Sequence, residues 1–175
     1  VNYVREGTLD YVLLKPIDSQ FWLSTRTLAP SGLPEMLLGL ALIIWASIKA
    51  GVLFNINSVI FSLIMLLASI VILYSIWFLV AATSIWFVKT WNATEVLRAL
   101  LAAGRFPVNA YPLTLRFIFT FILPITFLTT VPAQMILGQN DIILIVLGVS
   151  FAFVFYFLSR NFWRFALRHY TSASS

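Results

Sequence analysis

The residues able to do chemistry are few and stand far apart. Six acids, Glu6, Asp10, Asp18, Glu35, Glu95 and Asp141, fall singly in different stretches, and the one histidine, His169, precedes a loose tail. A nucleophile relay needs a base beside the nucleophile, and a histidine with no second histidine or cysteine reads as a solvated interface residue. No G-x-x-x-x-G-K-[ST] run is present to cradle a nucleotide, and H-E-x-x-H and G-x-S-x-G are absent too. With no cysteine, thiolate metal sites, redox pairs and disulfides are excluded. The chain is expected to be no enzyme and to bind no catalytic metal or cofactor.

The 11 lysines and arginines outnumber the acids and give a net charge of +5. They are spaced singly between apolar runs and form no basic stripe, so they read as topology markers and not as a nucleic-acid surface. With 61% hydrophobic and 10% charged residues, the composition is that of a membrane protein. Ser58 to Val88 carries no charge at all, and as a helix it is roughly 46 Å long, enough to cross a bilayer and project beyond it.

The fold class expected is all-α, a polytopic helical membrane protein with four transmembrane helices and short amphipathic cytoplasmic helices. The segment 1–33 is cytoplasmic, and 34–175 forms the membrane domain. Spans fall at about 34–54, 58–88, 113–131 and 142–159, with a cytoplasmic loop over 89–112 and a basic tail over 160–175. The short turn at Asn55 to Asn57 makes the first two spans antiparallel neighbours. Both ends lie on the side holding every Lys and Arg except Lys49, which the positive-inside rule makes cytoplasmic. A cell membrane, such as a bacterial inner membrane, is the expected location. Lys49 snorkels from its span or lines a pathway.

Several positions carry local expectations. A helix of about two turns fits Thr8 to Lys15, capped by Thr8, with Leu9, Val12 and Leu13 on one face. It is too short to stand alone in water and needs a neighbour. Ser58, Ser62 and Ser69 share one side of the long span, a spacing used for helix packing or for lining a route. Asn92 and Glu95 have capping-box spacing, Gly104 is a stop, and Val96, Leu97, Leu100 and Leu101 form an apolar face that Arg98 leaves. Pro124 kinks the third span as a gate or as a packing feature, and Pro132 makes 130–137 a broken or re-entrant helix. Arg160, Arg164 and Arg168 recur every four residues, extending the last span into anionic headgroups.

With these segments read, a resemblance becomes specific. REGTLDYVLLKP at Arg5 to Pro16, followed by SQFW at Ser19 to Trp22, resembles the signature of ABC-2 type transporter permeases with the pattern R-x-G-x-L-D-x-x-L-x-x-P. RFPVNAYP at Arg105 to Pro112, LPITFLTTVPA at Leu123 to Ala133 and FWRFALRHYTSAS at Phe162 to Ser174 resemble later parts of the same subgroup, so essentially the whole chain is covered. The resemblance implies six spans, of which these four are the last, with about two spans before Val1. It implies a coupling helix whose Gly7, Leu9, Asp10, Val12, Leu13 and Lys15 meet the ATP-binding subunit, Leu9, Val12 and Leu13 by an apolar face. Glu95, Arg98 and Arg105 are a second candidate contact, and Pro124 and Pro132 candidate gate or kink positions. ATP and Mg belong to partner ATPase subunits, and the permease works as a homodimer or heterodimer. The alternative function is a non-transporting membrane scaffold that holds a protein or lipid.

Overall fold

The computed structural model describes residue 3 and residues 7–25, 30–49, 51, 55–87 and 91–170. Expectations placed on Arg5, Glu6, Arg26, Lys89 and the tail from 171 lie outside the described residues. No strand occurs among the described residues.

Two long helices form the frame. Helix α4, Ile56–Ala82, starts where the Asn55 side chain accepts from the Asn57 N–H, and it runs on as a 3-10 turn, Thr83–Ile85. Helix α9, Ile142–Arg168, starts where the Asp141 carboxylate accepts from the Ile143 N–H at 2.8 Å. Each cap satisfies an N–H that the first helical turn leaves without a partner. The apolar span and the basic stretch after it are thus one unbroken helix.

These helices run parallel. Met65 meets Gly148, Phe78 stacks edge-on against Trp163 and Trp86 stacks against His169, an offset of 83 to 85 residues kept from end to end. A Cβ on Gly148 would collide with the Met65 side chain, so glycine permits the close approach. The chain between them must return the full length, and it does so through α5 (Trp91–Ala102), α6 (Leu113–Phe117), α7 (Ile125–Leu128) and α8 (Thr130–Ile136). After α6 the backbone passes through a π-helical turn, Ile118–Ile122, and breaks at Leu123 and Pro124. The segments before and after that break are bent by 70°.

The serine side of α4 holds α7 and α8. Ser69 Oγ lies 2.5 Å from the Phe127 carbonyl and 2.6 Å from the Met65 carbonyl, and Ser62 Oγ donates to the Pro132 carbonyl at 3.4 Å. Asn140 donates to Ser58 Oγ at 3.0 Å. All three serines are buried, so this stripe serves packing. Phe127, Val131 and Met135 fill the core against Met65, Ile72 and Ala152.

Three expectations are corrected. Helix α3, Leu33–Lys49, is only 17 residues, about 26 Å, and does not lie along α4 as an antiparallel neighbour. Its side chains are exposed apart from Gly39 and Ser47, whose hydroxyl is turned to the Ile43 carbonyl. The described helices include two long and apolar enough to cross a membrane, or three if the bent pair counts as one; four spans are not shown among the described residues. Gly104 does not stop α5 by a left-handed turn. Its φ is negative, and its missing Cβ makes room for Ile125, 2.9 Å from where that atom would sit. Asn92 falls inside α5, which already begins at Trp91, so it does not precede the helix as a cap.

Candidate functional site

The segment bearing the coupling-type motif packs on the C-terminal ends of α4 and α9. Gly7 takes φ +67°, a left-handed conformation open to glycine at no steric cost, and turns the chain into α1, Leu9–Leu13. Thr8 precedes α1 with helical φ and ψ, so its hydroxyl does not reach the first N–H groups and makes no cap bond. One turn of helix cannot hold itself in water, and burial supplies the difference. Leu9 and Val12 are sealed against Ala82, Trp163 and Ala166.

Helix α2, Ser19–Thr25, completes the dock. Asp18 accepts from Arg160 at 2.7 Å, the Trp163 indole donates to Ser19 Oγ at 3.0 Å, and the Ser24 and Tyr74 hydroxyls are 2.9 Å apart. The Phe21 N–H, donated to Asp18, holds that carboxyl below its usual value against the opposing effect of burial, and Arg160 adds to the lowering. Tyr170, at the far edge, is pushed up by burial first and then by the Asp10 carboxylate. Lys15 sits over the Trp22 ring, 4.0 Å from its centroid.

The faces of α1 are not those expected. Leu13 is 38% exposed and does not share the seal of Leu9 and Val12. Leu13 lies about 40° around the helix from Leu9, on the side away from Val12, and the neighbours cover only Leu9 and Val12. The open side carries Tyr11, 70% exposed, and Leu14, 81% exposed; Ile17 and Phe21, beyond the helix, are exposed too, Phe21 beside Asp18, Gln20 and Arg160. Sequence reasoning missed these four, although Tyr11 and Leu14 stand at i and i+3 on the side opposite Leu9.

The second candidate contact is elsewhere. Arg98 pairs with Glu95 at 3.3 Å and lies over Trp77, so both belong to the α4 flank that α5 covers. On α5, Leu97 is buried, Leu100 and Leu101 half-buried, and Val96 exposed, so the apolar face is narrower than expected. Arg105 lies farther on, beside Pro107, Asn109, Thr130 and Gln134 around a cavity of about 380 Å³. The structure does not bring Glu95, Arg98 and Arg105 together with α1. Pro124 stands at the break, fully buried, and Pro132 sits in the first turn of α8, where proline costs no helical hydrogen bond. Among the described residues no three of His, Asp or Glu converge as a metal site.

Compared with known families, residues 1–174 match the family described as ABC-2 family transporter protein. Neither the curated proteins nor the solved structures contain a match.

Proposed function

The chain belongs to the ABC-2 family of transporter proteins, and from that premise we propose that it is the membrane-spanning permease subunit of a transporter whose ATP is hydrolysed in a separate chain. The observation that carries this reading is the two-sided build of α1. One side is fastened to both long helices through Leu9 and Val12, and the other presents Tyr11 and, just past the helix end, Leu14 uncovered. A force applied at that open side reaches α4 and α9 without crossing a flexible linker. The ATP-binding subunit docks there, with Asp10 and Lys15 giving polar contacts at the rim.

Topology supports the same reading. Two parallel spanning helices require an odd number of crossings between them, so the bent pair crosses once, with its break at Pro124. With α3 as a further span, the ends of the chain and α1 lie on the cytoplasmic side, where Arg160, Arg164 and Arg168 gather. The break at Pro124 is the place where the bundle can flex, and a second permease completes the path.

The test is affinity purification of the complete gene product from mild detergent, with an ATPase assay on the eluate. A P-loop partner is expected in stoichiometric amount, lost in a Tyr11→Asp, Leu14→Asp variant that still inserts in the membrane. A partner without a nucleotide site, or one retained with full transport by the variant, overturns the assignment in favour of a scaffold.

A further inference from the structure

Helix α8 has two faces. Val131, Pro132 and Met135 are buried toward α4. Thr130, Ala133, Gln134 and Leu137, at i, i+3, i+4 and i+7, border the cavity of about 380 Å³ whose other wall includes Arg105, Phe106 and Asn109. That wall is tied to α7 and α8 twice. Gly104 packs on Ile125 and Thr129, and the Val108 N–H donates to Thr130 Oγ1 at 3.3 Å.

The long helices give the cavity its depth. Along α9, Arg160 is 18 residues after Ile142, about 27 Å, close to the roughly 30 Å thickness of a hydrocarbon core. Along α4 the same layer runs from Ser58, bonded to Asn140, to about Tyr74, which borders one pocket with Arg160. Within it Ser62 holds Pro132 and Ser69 holds Phe127, about 6 and 17 Å from Ser58. Thr129 and Thr130 therefore stand near the middle of the layer, and the wall fastened to them stands there too.

A cation at that depth needs a partner. The two ion pairs among the described residues are Arg98 with Glu95 and Arg160 with Asp18, so Arg105 is in neither, and no acid borders the cavity. Arg116, whose guanidinium donates to the Asn109 carbonyl at 3.0 Å, adds a second positive charge behind the same wall. Gln134 is half-buried, and its side-chain amide is neither hydrogen-bonded nor shut off from solvent. The rest of the wall, Phe106, Ala133 and Leu137, is apolar.

We propose that this cavity binds an amphiphilic organic anion, and that such anions are the class of molecule the permease moves. The acidic group takes donors from Arg105, Gln134 and Asn109, and the apolar part lies against Phe106 and Leu137. Two arginines without an acid in a low dielectric repel cations and attract anions, which is what makes the site selective. That the anion is cargo rests on the permease reading, whereas the site itself rests on depth and geometry.

The complete gene product in phosphatidylcholine nanodiscs, without an ATPase, tests the site with radiolabelled decyl phosphate. One saturable site per chain is expected, and none for decyltrimethylammonium. Arg105→Gln is expected to weaken binding at least about tenfold, as charge-assisted hydrogen bonds are lost, and Gln134→Leu about threefold. Arg105→Lys, which keeps the charge, restores most of the affinity and shows that the fold is intact. Inorganic phosphate, lacking the chain, is expected to compete weakly. Because the chain has no cysteine, a spin label at Ala110→Cys reports depth, and it is expected deeper than one at Val96→Cys, near the Arg98 that lies over Trp77. Equal binding of the cation, full affinity in Arg105→Gln or equal competition by inorganic phosphate overturns the proposal. So does a label at 110 no deeper than at 96. Dimers that fall apart in Arg105→Gln with decyl phosphate binding unchanged overturn it in favour of an acid from a second copy. A purified chain that binds decyl phosphate but brings no ATPase fails the permease reading alone, and one that brings the ATPase but binds no anion fails this proposal alone.

Discussion

Along α4, Met65, Ile72, Ser75 and Ala82 are sealed from solvent, whereas along α3 Met36, Leu37, Leu40, Ile44 and Trp45 all stand open. Both helices are apolar, so hydrophobicity does not separate them. The difference is whether the small and hydroxyl residues meet a neighbour. Helix α4 buries Ser58, Ser62, Ala68, Ser69 and Ser75, and Gly148 answers from α9. Helix α3 carries Gly39, Ala41, Ala46 and Ser47 as well, but nothing described lies within 4 Å of a Cβ placed on Gly39. Apolarity takes a helix into lipid, and small residues hold it to another helix only where that helix offers a matching surface.

The comparison can be broken first at its tightest point. Gly148→Leu forces a side chain into Met65 and Phe127, and about 3 kcal/mol of destabilisation is expected. A thermal melt in detergent, followed by aggregation, reads it. No loss of stability there would mean that the seam is looser than Gly148 implies. Ser69→Ala removes the hydroxyl between the Phe127 and Met65 carbonyls at the loss of one oxygen's volume, and roughly 1 kcal/mol is expected. The same melt compared with Ser69→Cys, which keeps the volume more nearly, separates the hydrogen bond from packing. Leu37→Ala, on the open helix, is expected to change the stability of the isolated chain by less than about 0.5 kcal/mol. If that variant instead lowers a dimer's stability on dilution, α3 is the helix that a second subunit covers.

The smallest effect is expected from pH at the α2 dock. Asp18 keeps its carboxyl below 3.8 in the folded protein, so its contribution is fully present above that value and is lost as pH falls through the lower folded one. Proteolytic protection of residues 7–25 should therefore be flat from pH 8 to pH 5 and weaken only below 3.8. Protection that fades near pH 6 would show that another group holds the segment.

Much of the architecture was legible before any coordinates. The uncharged run after Asn57, the turn at Asn55 to Asn57 and the break at Pro124 follow from residue type and spacing, whereas the caps at Asn55 and Asp141 show only in the structure. The serine stripe was legible as a packing face, though its partner was not. The faces of α1 could not be assigned, because one turn of helix offers Leu9, Val12 and Leu13 nearly the same direction and only the neighbour decides between them. Gly104 read as a stop because a glycine after an apolar run has that meaning locally, and its true role depends on Ile125, 21 residues on. The bond from Asp18 to Arg160 joins residues 142 positions apart, beyond any local signal.

The amino-acid sequence by itself determined that the chain enters a membrane, that its elements are helices and where the long ones begin, since these depend on transfer energy and on groups within a turn of each other. The tertiary structure alone decided that α4 and α9 run parallel in close register, that α3 stays uncovered among the described residues, and that Asp18 meets Arg160 at the end of that seam. Those outcomes depend on which surfaces meet, and surfaces from distant parts of a chain are complementary only once they are brought together.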